Sequence, residues 1–244
     1  MPVLLSEDRL AYANVFLNLF SITRQGSLSI RRSCEYCKRG MTSVHSTPVP
    51  ARERILSTAY DLFSRRGIRA VGTEEVIERA GVAKATLYRH FATKNDLVLA
   101  VLARREQLWT YGLIEAQSRK RGKTPEEQLL AIFDVMDDWF QLRDGYEGCS
   151  FINVLLELGA DHPVGQACIA HIDHVRDIVR QRALAAGLRD VDDFAWSWHI
   201  LMKGAIILAA VGDVAAARRA QKMARVLIDE HRPSAEVDDD EAAS

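Results

Sequence analysis

The chain has 244 residues, of which 48% are hydrophobic and 27% charged, and its formal net charge is −1. This composition is ordinary for a globular protein with a substantial core. The charge is unevenly distributed, because residues 1–100 carry an excess of positive charge and residues 101–244 an excess of negative charge. A basic first part joined to an acidic remainder suits a protein that presents one end to a polyanion, although some enzymes share this division.

Cysteine content and hydropathy argue against a secreted or membrane protein. Four cysteines, at positions 34, 37, 149 and 168, are too few and too scattered for a disulfide-stapled scaffold. The apolar run from Leu10 to Phe20 is shorter than the roughly 20 residues that cross a bilayer, and no cleavage pattern follows it. We therefore expect a cytoplasmic protein without a targeting segment.

The two ends of the chain lack the pattern of the remainder. Residues 1–48 share no periodicity with the rest of the chain and end in a Ser/Thr/Pro-rich stretch. We expect this segment to be disordered or, since Met41 precedes that stretch, to be an extension upstream of the true start. Residues 233–244 are acidic and aperiodic, and we expect a disordered tail.

From residue 51 onward the sequence predicts a succession of helices, and therefore an all-α fold. Apolar residues recur with the 3.6-residue period of an amphipathic helix, and β-branched residues are dispersed. In ARERILSTAYDLFSRRG (residues 51–67) the apolar side chains form one stripe. We expect three compact helices, then one long helix over about 94–119, and further helices over about 125–142, 149–160, 163–186, 191–212 and 214–231.

Residues 73–91 have the pattern of a helix-turn-helix. Thr73 is expected to cap a short helix that Gly81 ends, because glycine accepts the backbone conformation of a tight turn. In and just before the next short helix, Val82, Leu87 and Phe91 are expected to face inward. The outward side chains then form a strip that fits a DNA major groove, and this recognition strip consists of Lys84, Ala85, Thr86, Tyr88, Arg89 and His90.

Two helix N-termini extend the predicted interface beyond the recognition strip. Free backbone N–H groups and the positive dipole end of a helix beginning at Thr73 or Thr93 can bind a phosphate oxygen, and Lys94 adds a charge beside the second. The alternative is that the strip is an ordinary solvated helix face. We favour DNA contact because the flanking helices have the lengths and caps that the motif requires.

The segment TEEVIERAGVAKATLYRHFATKNDLVLAVL resembles the DNA-binding signature of the TetR/AcrR family of bacterial transcriptional regulators. The resemblance covers about residues 52–102, and GCSFINVLLELG (residues 148–159) is similar to a pattern in the C-terminal domains of one branch of that family. It implies a homodimer that binds a palindromic operator, usually as a repressor, and releases it when a small molecule enters the C-terminal domain. By family analogy, Thr73, Tyr88, His90 and Lys94 would mainly contact the DNA backbone.

The expected organisation is a helix-turn-helix DNA-binding domain of three helices over residues 49–97 and a helical effector-binding and dimerisation domain over residues 98–232. The helices at about 191–212 and 214–231 carry apolar stripes and small residues, and we assign the dimer interface to them. Asn153 and Glu157 either point into a pocket or hydrogen-bond neighbouring helices. Candidate pocket walls combine aromatic and polar side chains, namely Trp139, Phe140, Phe151, Asn153, Trp196 and His199.

Two alternative functions compete with a ligand-responsive regulator. One is a ligand-independent architectural DNA-binding protein, and the other is an all-α enzyme that uses Cys149 or the pair His171 and His174. The histidine pair could also present a metal-binding face with Asp173 and Asp177, but we favour solvated or dimer-rim positions. For Cys149 we favour packing, because no nucleophile–base–orienter spacing or phosphate-binding glycine loop is present.

A second pair of candidate metal ligands is Cys34 and Cys37, a lone CxxC motif with His45 nearby. Zinc sites usually use four ligands at recognisable spacing, and no second cysteine pair is present. We therefore predict no enzyme activity, no cofactor and no metal.

Overall fold

The computed structural model describes residues 49–141 and 148–233, and in these residues the regular secondary structure is entirely helical. The predicted all-α class is therefore confirmed. The chain divides into two compact units, the first ending at Val101 and the second beginning at Leu102. The predicted N-terminal extension, the CxxC motif and nearly all of the acidic tail lie outside the described residues.

The first unit is built from short helices around a small apolar core. The predicted stripe of the first helix is buried, with Ile55 and Ala59 fully so. Each of the next two helices contributes few residues to this core, and the third buries only Leu87 completely. The elements are α1 (Ala51–Arg66), α2 (Thr73–Ala80), α3 (Lys84–His90) and the beginning of α4 (Lys94–Glu106).

The turn between α2 and α3 depends on a left-handed glycine. Gly81 has φ 62° and ψ 45°, a conformation in which a β-carbon is strained. The N–H of Gly81 donates to the carbonyl of Glu78 at 3.1 Å, and the N–H of Val82 donates to the carbonyl of Ile77 at 3.2 Å. These two bonds form a Schellman motif, which ends α2 and sets the direction of the chain into α3.

Arg54 of α1 fixes the same turn from the other side. Its guanidinium donates to the carbonyls of Ala80 at 3.1 Å and Gly81 at 3.2 Å, and also to the carbonyl of Val49 at 3.1 Å. A positively charged side chain is favourable here because the C-terminal carbonyls of α2 carry partial negative charge. One arginine therefore holds α1 against the turn from which α3 begins.

The two threonine caps that the sequence predicts have different outcomes. Thr93 caps α4, since its hydroxyl accepts the N–H of Asp96 at 3.1 Å while the Asp96 carboxylate accepts the N–H of Thr93 at 2.9 Å. The prediction for Thr73 is wrong, because Gly72 occupies the N-cap position in an extended conformation and Thr73 is the first helical residue. Glycine is itself an acceptable N-cap.

The second unit contains the longer helices. Their bounds from α6 onward lie within two residues of the predicted ones. None of the helices in the described ranges combines the length and the apolar composition that a membrane span requires. Chain order runs from the end of α4 through a π-helical segment (Gln107–Glu115) to α5 (Ala116–Arg121), α6 (Pro125–Gln141), α7 (Ser150–Leu158), α8 (Pro163–Ala185), α9 (Val191–Ala210) and α10 (Ala216–Glu230).

The π-helical segment was not predicted, because the sequence pattern indicates one continuous α-helix over about 94–119. Gly112 lies within it, and a β-carbon there would approach the carbonyl oxygen of Gln107 to 3.1 Å. The segment buries Trp109, Thr110 and Leu113. Apolar residues that recur every three or four positions fit an α-helix and a short π-helix equally well. Hydrophobic periodicity therefore does not distinguish the two.

A buried arginine links three elements of the second unit. Arg182 of α8 donates to Ser118 Oγ at 2.7 Å and to the carbonyls of Gln128 at 3.1 Å and Glu115 at 3.0 Å. Burial lowers the pKa of Arg182 to about 10, which leaves the guanidinium charged at neutral pH. Three acceptors compensate for its desolvation, so α8 is fixed against the end of the π-helical segment, α5 and α6.

Replacing Gly81 with alanine tests whether the left-handed turn determines the stability of the first unit. Beyond the neighbouring residues, no atom lies within 4 Å of the added β-carbon, so the cost is conformational rather than steric. We expect Gly81→Ala to lower the free energy of unfolding by about 1–2 kcal/mol, measured by urea denaturation. The control Gly72→Ala, at φ −83°, has no left-handed strain and loses only the N-cap preference for glycine over alanine, so it should lower the free energy of unfolding by about half as much or less; equal effects of the two substitutions would contradict this account.

Candidate nucleic-acid interface

The recognition strip is accessible in the first unit. Five of its six side chains are exposed and Thr86 is half-buried. Leu87 and Phe91 are buried as predicted, whereas Val82, also predicted to face inward, is only half-buried because it lies in the turn before α3. The exposed members of the strip are Lys84, Ala85, Tyr88, Arg89 and His90. One helix therefore separates a core-facing side from a side that carries a lysine, an arginine, a histidine and a tyrosine.

The N-terminus of α2 lies directly beside the strip. The hydroxyl oxygens of Thr73 and Tyr88 are 3.3 Å apart, and the Lys84 ammonium is 2.7 Å from the Glu74 carboxylate. The first-turn N–H groups of α2 have no intrahelical acceptor and are a favourable place for an anion. The structure thus pairs Thr73 with Tyr88 and joins Lys84 to the first turn of α2 through Glu74.

Glu74 is a residue of this surface that the sequence interpretation treated only as part of a helix start. Its hydrogen bond and charge raise the pKa of Lys84, which is therefore a cation at neutral pH. Both side chains are about two-thirds exposed, so the ion pair is weak and can exchange for other partners. A DNA phosphate or base edge near Lys84 would compete with Glu74.

Thr93 and Lys94 are placed differently from the strip. The Lys94 ammonium donates to the carbonyl of Ile68 at 2.5 Å and is half-buried. This bond ties the start of α4 to the connection between α1 and α2. Lys94 therefore has a structural partner within the first unit, and a phosphate contact would have to share or replace that bond.

Arg52 is a further cation of this unit that the sequence interpretation did not select. It is exposed on α1, and its guanidinium carbon lies 5.4 Å from the centre of the Phe91 ring. An arginine over an aromatic face gains a cation–π contact while its donors remain accessible. Phe91 is part of the core next to α3, and its ring also contacts the positive charge of Arg52 on α1.

In the second unit, the six predicted pocket walls do not form one enclosed surface. Trp139, Phe140 and Phe151 are buried. Asn153 is exposed, and Trp196 is 55% exposed with the Arg176 guanidinium 3.9 Å from its ring centre. Asn153 and Trp196 are therefore accessible in the single chain, and their assignment to a pocket wall stays a prediction, because helical periodicity places a residue on a face without telling which face is covered.

His199, the sixth predicted wall, is a buried imidazole in an unusual environment. Neither ring nitrogen has a hydrogen-bond partner among the described residues, and the residue is only 7% exposed. Burial, together with the positive charges of Lys203 and Arg176, lowers the pKa of His199 to about 3. The ring is therefore neutral at physiological pH and offers one donor and one acceptor.

A group of polar atoms surrounds the next turn of α9. The Lys203 ammonium lies 5.8 Å from the Trp109 ring centre and 3.6 Å from Cys149 Sγ. Trp109 Nε1 and Thr110 Oγ1 are also buried without a hydrogen-bond partner in the part of the chain that the structure describes. We call Trp109, Cys149, His199 and Lys203 the interior polar cluster. Unpaired buried polar atoms are rare in proteins and require an explanation.

Comparison with known proteins identifies the first unit. Residues 55–101 match the family described as bacterial regulatory proteins, tetR family. A curated relative, the HTH-type transcriptional activator FasR of Mycolicibacterium smegmatis, is 42% identical over 91 residues, which cover 35% of this chain and 40% of FasR. The HTH-type transcriptional repressor KstR2 of the same organism is 32% identical over 89 residues, 36% of this chain and 42% of KstR2. The matches thus span about two-fifths of these relatives.

Solved structures extend the likeness to both units. A TetR-family transcriptional regulator from Streptomyces coelicolor has a TM-score of 0.69 and 28% identity over 75% of this chain and 96% of its own. A second regulator of this type, from Streptomyces avermitilis, has a TM-score of 0.65 and 26% identity over 75% of this chain and 98% of its own. The order of helices, the helix-turn-helix and the matched residues agree: residues 55–101 have the DNA-binding region of the tetR family of bacterial regulatory proteins, and the two units have the fold of TetR-family transcriptional regulators.

Proposed function

We propose that the protein is a homodimer that binds a palindromic operator through α3 and releases it when a small molecule binds the second unit. The observation that carries the proposal is the division of α3 into a buried side, with Leu87, and an exposed side that carries Lys84 and Arg89. A convex strip one helix wide fits the major groove, where base edges differ in their donors and acceptors.

The geometry supports distinct roles for the residues around the strip. Lys84, Ala85, Thr86 and Arg89 occupy the side of α3 away from the core, where they can reach bases or phosphates. Thr73, Tyr88, His90 and Thr93 contact the DNA backbone in this proposal, since Thr73 and Tyr88 are already paired beside the free N–H groups of α2. Lys94 positions the start of α4 and adds positive charge.

The experiment that tests operator binding is a titration of the purified full chain against DNA from the region flanking its coding sequence. We expect an inverted repeat there to bind at least roughly 1,000-fold more tightly than a scrambled duplex, with an affinity that falls as salt rises. Equal affinity for repeat and scrambled DNA at every salt concentration would contradict sequence-specific binding.

Variants of the strip distinguish base contacts from charge effects. Thr86→Ala and Lys84→Ala should reduce discrimination between operator and altered operator by roughly tenfold or more.

Glu74→Gln should strengthen binding to all duplexes by roughly twofold to fivefold, because it frees Lys84 and removes a negative charge beside the strip. Glu78→Gln, at the other end of α2, is the matched control and should change affinity little; equal effects at both glutamates would show that the Glu74–Lys84 pair is irrelevant.

The proposed dimer interface rests on exposed apolar side chains of α9 and α10. Buried residues of α10, such as Ala217 and Ala224, face the rest of the second unit. The opposite face exposes large apolar side chains that a single chain leaves in water. On α9 and at its end these are Trp196, Ile200, Ile207, Leu208 and Val211, and on α10 they are Met223 and Val226. Two helices from each subunit would cover this surface as a four-helix interface.

Charged substitutions on this face should separate the subunits. We expect Ile200→Glu and Ile207→Glu, at positions that are 70% and 61% exposed, to weaken dimerisation at least roughly tenfold by analytical ultracentrifugation. Leu156→Glu is the matched control, because Leu156 of α7 is 79% exposed but lies outside α9 and α10. A protein that sediments as a monomer before mutation, or a dimer that tolerates both glutamates, would refute this interface.

We propose that the effector binds inside the second unit, next to the interior polar cluster. Its unpaired donors and acceptors, together with the Trp109 and Trp139 rings 5.6 Å apart, combine aromatic walls with a few polar groups. The protein would have one conformation that binds DNA and one that does not. A small molecule that binds the second more tightly would lower operator affinity by the difference between its affinities for the two.

Among the curated relatives FasR is named an activator and KstR2 a repressor. For this protein we propose repression, which an in vitro transcription assay tests directly.

Replacing His199 should reveal whether this imidazole is retained for ligand binding at the expense of stability. An unpaired buried polar group costs about 1–3 kcal/mol, so His199→Leu should raise the free energy of unfolding of the ligand-free protein by about 1 kcal/mol or more. His231→Leu is the control, because His231 Nδ1 is 2.9 Å from the carbonyl of Leu227 and its loss should destabilise the protein. If His199→Leu is as destabilising as His231→Leu, the imidazole is satisfied in the native protein and the proposal fails.

A further inference from the structure

Two histidines of α8 converge on one carboxylate of α4 inside the second unit. Glu106 Oε1 lies 2.6 Å from His174 Nδ1 and 2.8 Å from His171 Nδ1. The three side chains offer ligand atoms that all lie within 4.8 Å of one another. In the sequence the two histidines lie near Asp173 and Asp177, whereas the third donor, Glu106, lies on a different helix, too far from His171 along the chain for a local pattern to indicate it.

The cluster is shielded from solvent on one side and held in place. The side chains of Glu106 and His171 are 9% and 14% exposed, whereas that of His174 is 45% exposed. The Phe151 ring packs against His171 with centres 5.1 Å apart. A carboxylate this deeply buried requires a positive charge nearby. Here that charge comes either from a protonated histidine ring or from a cation that the two imidazoles and the carboxylate bind together.

The donor set favours the cation. Two imidazole nitrogens and one carboxylate oxygen are the ligands of mononuclear zinc and related sites that retain an open coordination position. At metal–ligand distances of about 2.0–2.1 Å, neighbouring donors are separated by roughly 3.0–3.4 Å. The observed separations of 2.6 and 2.8 Å would have to open by roughly 0.2–0.8 Å, which side-chain rotation can provide.

We propose that Glu106, His171 and His174 bind one divalent transition-metal ion of the zinc type, which cross-links α4 to α8 within the second unit. An opening beside the cluster leaves room for further ligands. His174 also lines a groove of about 340 Å³ together with Tyr111, Glu115 and Asp177. Water or a groove carboxylate can therefore complete the coordination from the exposed side of His174. This inference does not depend on the proposed operator or effector.

The test uses the full chain with Cys34→Ser and Cys37→Ser, because that pair lies outside the described residues and could bind zinc independently. After treatment with a chelator, Zn²⁺ is titrated by calorimetry and Co²⁺ by visible absorption. We expect one ion per chain, and at least roughly tenfold weaker binding in His171→Asn, His174→Asn and Glu106→Gln. His162→Asn is the matched control: His162 caps the start of α8, where it accepts the N–H of Val164, and asparagine can retain that cap.

Two further measurements remain decisive if a variant fails to fold. Metal at roughly hundredfold excess over its Kd should raise the Tm of the parent chain by about 5 °C or more. X-ray absorption of the zinc-loaded parent chain should show two imidazole nitrogens at about 2.0–2.1 Å and no sulfur. The proposal is overturned by absence of binding, by equal binding in the three variants and the control, or by sulfur ligation.

Discussion

The position of α3 depends on hydrogen bonds to a turn rather than on its own core contacts. Leu87 is its only fully buried residue, so a seven-residue helix of this kind would not be stable alone. The left-handed Gly81 ends α2, and Arg54 holds the carbonyls of Ala80 and Gly81 from α1. Because these contacts use the backbone and a single arginine, the outward side chains of α3 are left available for recognition.

The two lysines near α3 differ in how firmly the protein holds their charged groups. Lys84 is held by Glu74 through an exposed pair, whereas Lys94 is bound to the carbonyl of Ile68 in a half-buried position. The first lysine can exchange its partner at little cost, and the second cannot do so without loosening the start of α4. Two lysines of similar appearance in the sequence therefore have different availability to a nucleic acid.

Within the second unit, polar groups are buried in two ways with opposite consequences. Arg182 satisfies its donors with three acceptors and fixes α8 in place, which is a structural use of a buried charge. His199 has no partner for either ring nitrogen among the described residues, and Glu106 draws two histidines to one oxygen. Satisfied groups specify the fold, whereas the unsatisfied His199 and the convergent Glu106 cluster are where we propose that a ligand and an ion bind.

The sequence by itself determined the all-α class, the inward side chains of Leu87 and Phe91 and the family of residues 55–101. It also gave the bounds of the helices from α6 onward to within two residues. Each of these follows from local periodicity, capping chemistry or a contiguous motif. Only the tertiary structure decided the π-helical segment, the exposure of Trp196 and Asn153, the bond from Lys94 to Ile68 and the meeting of Glu106 with His171. These features depend on which helix faces which neighbour, and contacts between residues tens of positions apart leave no periodic signal in one sequence.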